Sequence, residues 1–168
     1  SRFASVSRTD QLEITPHVKA MSGRHPIPLD HFFGMVCIFG IDAPIVTCRE
    51  ALLRRGVFPI ALGGDHSLAV GFWSGVAAAR PGQEPPGLLW IDAHLDSHTP
   101  QTSLSHAIHG MPLAALLGHG HPLLTSLPPR HFDPARVCVV GARSFEPAEA
   151  ALLLKLGGRI FPMAEIRN

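Results

Sequence analysis

From residue 46 onward, short apolar runs alternate with stretches in which apolar residues have helical spacing. The apolar runs predict strands at 57–62, 87–91, 136–142 and 159–163. The helical spacing predicts helices at 46–56, 68–79 and 147–157, with a shorter helix within 109–118. The strands are apolar throughout, which is typical of a parallel sheet with helices on both faces. The pattern therefore predicts an α/β protein with three αβα layers and a mainly parallel sheet.

The first part of the chain lacks this regularity. Residues 1–34 show no sustained period and contain Pro16, Pro26 and Pro28, so we expect an irregular N-terminal segment there. The apolar run 35–41 is too short to be assigned to a strand or a helix. We place the α/β domain, in partial form, at 35–168.

Composition narrows the class of protein. The chain has 168 residues, 46% of them hydrophobic and 16% charged, which fits one globular domain. A net charge of +1 offers no basic surface for nucleic acid. No apolar run approaches the roughly 20 residues that span a bilayer, and the N-terminus has no apolar signal region. Three scattered cysteines indicate reduced thiols, so we expect a cytoplasmic protein.

Polar residues with metal-binding chemistry follow the predicted strand 87–91. Asp92, His94 and Asp96 are spaced i, i+2 and i+4, so in an extended segment their side chains point to one side. Two carboxylates and an imidazole in one place repel one another or lose hydration unless a cation holds them. The alternative is a solvated loop in which the spacing arose by chance.

A second polar cluster, GGDHS at 63–67, follows the predicted strand 57–62. The carboxyl ends of parallel strands share one edge of a sheet, where ligands bind, so His66 is expected near the first cluster. The alternative for His66 is a hydrogen-bonded structural residue. Asp65 or Ser67 would serve equally well as the cap of the helix that begins near Leu68.

Taken together, GGDHS and DAHLD resemble the first two metal motifs of the ureohydrolase family, the arginases and agmatinases. The stretch 97–105 leading to HGMP at 109–112 is similar to the arginase branch. Residues 140–143, with the acidic positions that follow them, resemble the next strand and its substrate-facing turn. The resemblance covers roughly residues 46–168 and implies an arginase-like fold.

The resemblance also implies a binuclear manganese site. His66 and Asp96 would bind one ion, Asp92 would bridge both, and His94 would bind the second. Such a pair of ions lowers the pKa of a bridging water, and the resulting hydroxide would attack a guanidinium carbon to give urea and an amine.

The remaining roles are carried over in the same way. His109 matches the active-site histidine of the family, assigned to proton transfer or substrate positioning; taken alone, it would be interpreted as a surface residue at a helix start. The substrate-binding positions implied are His98, Ser105, Glu146 and Glu149. Family members form trimers or hexamers, so a homo-oligomer is expected.

Two departures from the family pattern shape the expectation. The sequence given ends before a Ser-x-Asp-x-Asp-x-x-Asp-Pro motif, which in the family supplies two more aspartate ligands, so we expect a fragment, a splice product or a degenerate copy. His98 and Ala107 stand where arginases usually have asparagines, and His106 replaces a common glycine. Lost polar partners alter specificity, so agmatine or a guanidino acid is an alternative to arginine.

Two other functions compete with the ureohydrolase. One is a non-catalytic relative that acts through metal binding or a partner. The other is a zinc-dependent amide hydrolase built on the same sheet architecture, although the spellings GGDH and DAHxD together fit it poorly. A small guanidino substrate, without nucleic acid or membrane, is the expected partner.

Overall fold

A computed structural model describes residues 65–166 together with Leu53, Ile60 and Ala61. The predictions for 1–34 and 35–41, and nearly all of those for 46–56 and 57–62, lie outside these residues. The described strands are β1 (Leu88–Ile91), β2 (Val137–Ala142) and β3 (Arg159–Pro162). The described α-helices are α1 (Leu68–Ala78), α2 (Pro112–Leu116), α3 (Pro122–Thr125), α4 (Pro147–Leu156) and α5 (Met163–Ile166). Short 3-10 turns lie at Ile108–Gly110 and Pro134–Arg136.

The three strands form one parallel sheet in the order β1-β2-β3. Leu88 pairs with Val137 and Ile91 with Val140, while Cys138 pairs with Arg159 on the other side of β2. Parallel neighbours need a crossover connection, and helices supply it here: α2 and α3 lie between β1 and β2, and α4 lies between β2 and β3. The predicted parallel sheet with interleaved helices is confirmed.

Local signals explain the limits of α4. Pro147 occupies the first turn, where its missing N–H has no intrahelical acceptor to lose. Glu146 and Glu149 form a capping box, in which each side chain accepts a hydrogen bond from the backbone of the other. At the far end Gly157 adopts φ +98°, the left-handed conformation that ends helices. The helix predicted over 147–157 is therefore confirmed to within a residue.

The core lies on one side of the sheet. Leu88 and Trp90 of β1, Val139 of β2, and Leu113 and Leu116 of α2 belong to one buried cluster. Leu89 and Ile91 point the other way and are 61% and 75% exposed. Within the part of the chain that the structure describes, no helix is long and apolar enough to cross a bilayer.

The carboxyl ends of β1 and β2 are held together by backbone hydrogen bonds. Asp92 N–H donates to the carbonyl of Val140, and the N–H groups of Arg143 and Ser144 both donate to the carbonyl of Ala93. Gly141 lies between them with φ +92°, and a Cβ there would be 3.4 Å from the carbonyl oxygen of Asp92. The loops after both strands therefore meet at one edge of the sheet.

Candidate metal centre

Three side chains from two separate loops converge at this edge. Nδ1 of His66 lies 2.9 Å from Oδ2 of Asp96 and 3.3 Å from Oδ2 of Asp92. The three potential ligand atoms all lie within 4.8 Å of one another. Asp96 is almost completely buried, Asp92 is half-buried and His66 is open to solvent. A buried carboxylate, a half-buried carboxylate and an exposed imidazole thus lie close together.

The second oxygen of Asp92 is directed toward a different histidine. Oδ1 lies 3.2 Å from Nδ1 of His94 and accepts a 2.9 Å hydrogen bond from the His94 backbone N–H. The carboxylate of Asp92 therefore lies between two imidazoles, with Oδ2 toward His66 and Oδ1 toward His94. The open pocket at this position is lined by Asp65, His66, Asp92, His94, Asp96 and His109.

The backbone that presents these groups is a turn and not an extended strand. Asp96 has φ +48°, a left-handed conformation that few residues other than glycine, asparagine and aspartate adopt. Its carbonyl oxygen accepts hydrogen bonds from the N–H groups of Leu113 and Ala114, at the start of α2. The expectation of an extended i, i+2, i+4 segment is therefore wrong, although Asp92 and Asp96 still meet, because the turn at Asp96 brings its carboxylate to His66.

Trp90 supports the cluster from the buried side. Its indole N–H donates a 3.0 Å hydrogen bond to Oδ2 of Asp96, and its ring stacks on that of His66 with centroids 4.8 Å apart. Sequence reasoning missed this residue because it fits the apolar pattern of β1. The only available signal was an indole, which needs a hydrogen-bond acceptor when buried, two residues before an aspartate.

The carboxylates set the electrostatics of His66. The hydrogen bond to Asp96 raises the pKa of the imidazole above its ordinary value of 6.5, although partial burial works in the opposite direction. Asp65 responds to other partners: hydrogen bonds from the hydroxyl and backbone N–H of Ser67 lower the pKa of its carboxyl. Asp65 Oδ1 accepts both bonds immediately before α1, but the N-cap residue of this helix is Ser67, and no side chain caps it, so the predicted capping role is not observed.

His109 lies in the 3-10 turn Ile108–Gly110, directly before α2. The imidazole is largely exposed, and its Nδ1 lies 3.7 Å from Oδ2 of Asp65. It lines the same pocket as the metal cluster. The structure therefore brings the predicted catalytic histidine to the candidate site.

The other predicted substrate residues lie in two places beside the pocket. His98 is 8% exposed; its Nδ1 is 3.1 Å from the hydroxyl of Thr102, and its Nε2 is 3.4 Å from Glu149 and 3.6 Å from Glu146. Ser105 is exposed, and its hydroxyl oxygen accepts a hydrogen bond from the Ala107 N–H. Among the described residues, these predicted substrate positions do not line the metal pocket.

The donor set fits a divalent ion such as manganese. Carboxylate oxygens and imidazole nitrogen suit borderline metals, whereas no thiolate is present among the residues that line the pocket. His66, Asp92 and Asp96 are the described residues whose ligand atoms lie close enough together to hold an ion.

The sequence is similar to those of known arginases. The sequence model described as the arginase family matches residues 44–168. Arginase from Bacillus caldovelox is 43% identical over 120 residues, which cover 70% of this chain and 39% of that protein. The chain thus spans about two fifths of the length of this relative and of the arginases from Brevibacillus brevis and Bacillus subtilis.

The fold of this chain is also similar to solved structures of arginases. Native arginase from Bacillus caldovelox has a TM-score of 0.68 and 40% identity, covering 74% of this chain and 41% of that one. Entamoeba histolytica arginase in complex with L-ornithine has a TM-score of 0.64 and 32% identity, covering 73% of this chain and 44% of that one.

Proposed function

This chain belongs to the arginase family, as its two motifs indicated, and we propose that the protein hydrolyses a guanidino compound to urea and an amine with manganese as cofactor. The observation that carries the proposal is the position of the Asp92 carboxylate between two imidazoles. Oδ2 is directed toward His66 and Oδ1 toward His94, so Asp92 would be available to hold the metal together with either histidine. The arginase-like αβα fold is confirmed by the solved relatives.

The residues of this chain have distinct tasks in such a reaction. A bound pair of manganese ions would supply a nucleophilic water near neutral pH. His66 must give up a proton to act as a ligand, since only neutral imidazole has a free lone pair. Before an ion binds, Asp96 orients the ring of His66 through their 2.9 Å contact, and Trp90 in turn fixes Asp96.

His109 is the group available for proton transfer. Imidazole exchanges protons readily near neutral pH, and this one is exposed on the rim of the metal pocket. Asp65, at 3.7 Å, favours the orientation in which Nδ1 faces the carboxylate. We propose that His109 protonates the departing amine or orients the substrate.

Arginine is the substrate class that the relatives favour. Entamoeba histolytica arginase was solved with L-ornithine, the amine that arginine hydrolysis leaves. In this chain Glu146, with its side chain 51% exposed, is available to bind a substrate ammonium group, and Ser105 is available for polar contact. Because His98 and Ala107 replace the usual asparagines, agmatine and guanidino acids belong in the same proposal.

Urea release from a panel of guanidino compounds tests the proposal. The protein is loaded with Mn²⁺ and assayed with L-arginine, agmatine and guanidino acids, with Asp92→Asn as the inactive control. We expect urea from one of these compounds and at least a 100-fold lower rate in the variant, about 3 kcal/mol of lost transition-state stabilisation. Mn²⁺ binding without urea release from any compound would support the non-catalytic alternative, and activity with Zn²⁺ alone would support the amide hydrolase.

The proposal also includes the assembly and location expected from the sequence. We propose a homo-oligomer, trimeric or hexameric, in the cytoplasm. Sedimentation of the native protein and fractionation of its source cells test these two points.

A further inference from the structure

The side chain of Glu149 joins the loop after β1 to the start of α4. Its Oε1 accepts a 3.3 Å hydrogen bond from the backbone N–H of Ser97, and its Oε2 accepts a 2.9 Å bond from the N–H of Glu146. The hydroxyl of Ser97 also donates to the backbone carbonyl of Glu149, at 3.1 Å. Two residues 52 positions apart in the chain are thus connected twice.

Glu149 is poorly placed to bind substrate. It is only 4% exposed, and each of its carboxylate oxygens already accepts a backbone hydrogen bond. A buried carboxylate is stable only when such donors replace water, and the N-terminus of α4 adds a favourable dipole. A substrate ammonium group would have to reach a carboxylate that the fold has almost completely buried.

The peptide group between Asp96 and Ser97 links Glu149 to the metal cluster. Ser97 follows Asp96, whose left-handed backbone turns its carboxylate toward His66. Such a backbone conformation costs of order 1–3 kcal/mol and persists only when surrounding contacts enforce it. On one side, Leu113 and Ala114 hold the Asp96 carbonyl; on the other, Glu149 holds the Ser97 N–H.

We propose that Glu149 is a positioning residue that fixes Ser97 and thereby keeps Asp96 in the backbone conformation required to bind metal. The proposal rests on the proposed function, because it assumes that Asp96 is a metal ligand. It assigns Glu149 a task different from the substrate contact that the family resemblance implied. Glu146, on the exposed side of the same capping box, keeps the substrate assignment.

The capping box supplies a matched pair of variants. Glu146→Ala and Glu149→Ala each remove one acceptor from the start of α4, but only Glu149→Ala also removes the acceptor of the Ser97 N–H; the bond from the Ser97 hydroxyl to the backbone carbonyl of Glu149 is available in both variants. Glu149→Gln is a third variant of nearly unchanged shape, with one carbonyl oxygen left for two N–H donors. It provides a readout even if Glu149→Ala does not fold.

Two measurements are made on each variant: hydrogen exchange of the Ser97 amide without metal, and Mn²⁺ affinity by calorimetric titration. We expect the Glu149 variants to accelerate Ser97 exchange and to weaken Mn²⁺ binding, each by about 10-fold or more, as supporting partners of ligands typically do. Glu146→Ala should change both by less than about 3-fold once exchange is corrected for global stability.

The possible outcomes separate the two proposals. Equal effects of the Glu146 and Glu149 variants, or faster Ser97 exchange with unchanged Mn²⁺ affinity, would overturn the positioning role alone. If the wild-type protein binds no Mn²⁺, the proposed function fails, and the positioning role fails with it. Weaker binding in the Glu149 variants alone supports both.

Discussion

Replacing Trp90 with phenylalanine removes the indole N–H that bonds Asp96 while leaving an aromatic ring beside His66. The 3.0 Å bond is buried, since Trp90 and Asp96 are each 4% exposed. A hydrogen bond to a charged acceptor contributes about 1.5–3 kcal/mol, and loss of the larger ring adds a packing cost of its own. The single variant therefore overstates the bond, and a double-mutant cycle with Asp96→Ala isolates it.

The cycle is measured by urea unfolding of the metal-free protein, at one pH and with chelator present. We expect a coupling energy of about 1.5–3 kcal/mol between positions 90 and 96. Trp73→Phe is the control, because Trp73 packs edge-on against Phe132, whereas the hydrogen bond to Asp96 comes from Trp90; its coupling to Asp96→Ala should stay below about 0.5 kcal/mol. A Trp90 coupling equally small would refute the reasoning, and we also expect Trp90→Phe to weaken Mn²⁺ binding by about 10-fold.

Three further predictions concern the protonation of His66, the binding of Mn²⁺ and the backbone at Gly118. Because the Asp96 hydrogen bond raises the pKa of His66 above 6.5, Mn²⁺ affinity measured by titration should fall as pH drops through that raised pKa. The folding stability of the metal-free protein should change in the opposite direction. Protonated His66 stabilises the fold fully below pH 6.5, and this stability is lost as pH rises through the raised pKa. Saturating Mn²⁺, at about 100 times its Kd, should stabilise the protein by about 2.7 kcal/mol in thermal unfolding, and Asp92→Asn or chelator should abolish most of this gain. Gly118→Ala would place a Cβ 2.7 Å from Nδ1 of His131 and should lower the free energy of unfolding in urea by about 1–3 kcal/mol. Gly82→Ala is the control, because φ is +74° there but no atom lies within 4 Å of the added Cβ, and it should cost less. Equal losses in the two variants would contradict the steric argument.

Much of the described fold could be predicted because its signals are local. Pro147 and Gly157 mark the two ends of α4, and the uninterrupted apolar runs mark β1 and β2 as strands of a parallel sheet. The short helix α3 could not be predicted, because four residues are too few to show a period. It forms where the His121 ring accepts the N–H of Leu123, a contact that no hydrophobic pattern encodes.

The grouping of His66, Asp92 and Asp96 could be predicted from the sequence, but its geometry could not. The spacing of Asp92 and Asp96 after a strand indicated a shared cluster, and His66 joined it because both loops end at the same edge. The left-handed turn at Asp96 has no signature in an Asp-x-His-x-Asp spelling. Glu149 was assigned to substrate from the family resemblance, and the sequence pattern could not show its hydrogen bond with Ser97, 52 residues away in the chain.

The left-handed backbone at Asp96 restricts which residues evolution can accept there. Glycine, asparagine and aspartate adopt that conformation at lower cost than most other residues, and of these only aspartate carries a carboxylate. Glutamate would keep the charge but strain the turn, whereas asparagine would keep the turn but lose the charge. Position 96 is therefore constrained by the backbone and, under the proposed function, also by the metal. A copy of this gene that no longer binds metal is expected to carry asparagine or glycine at this position.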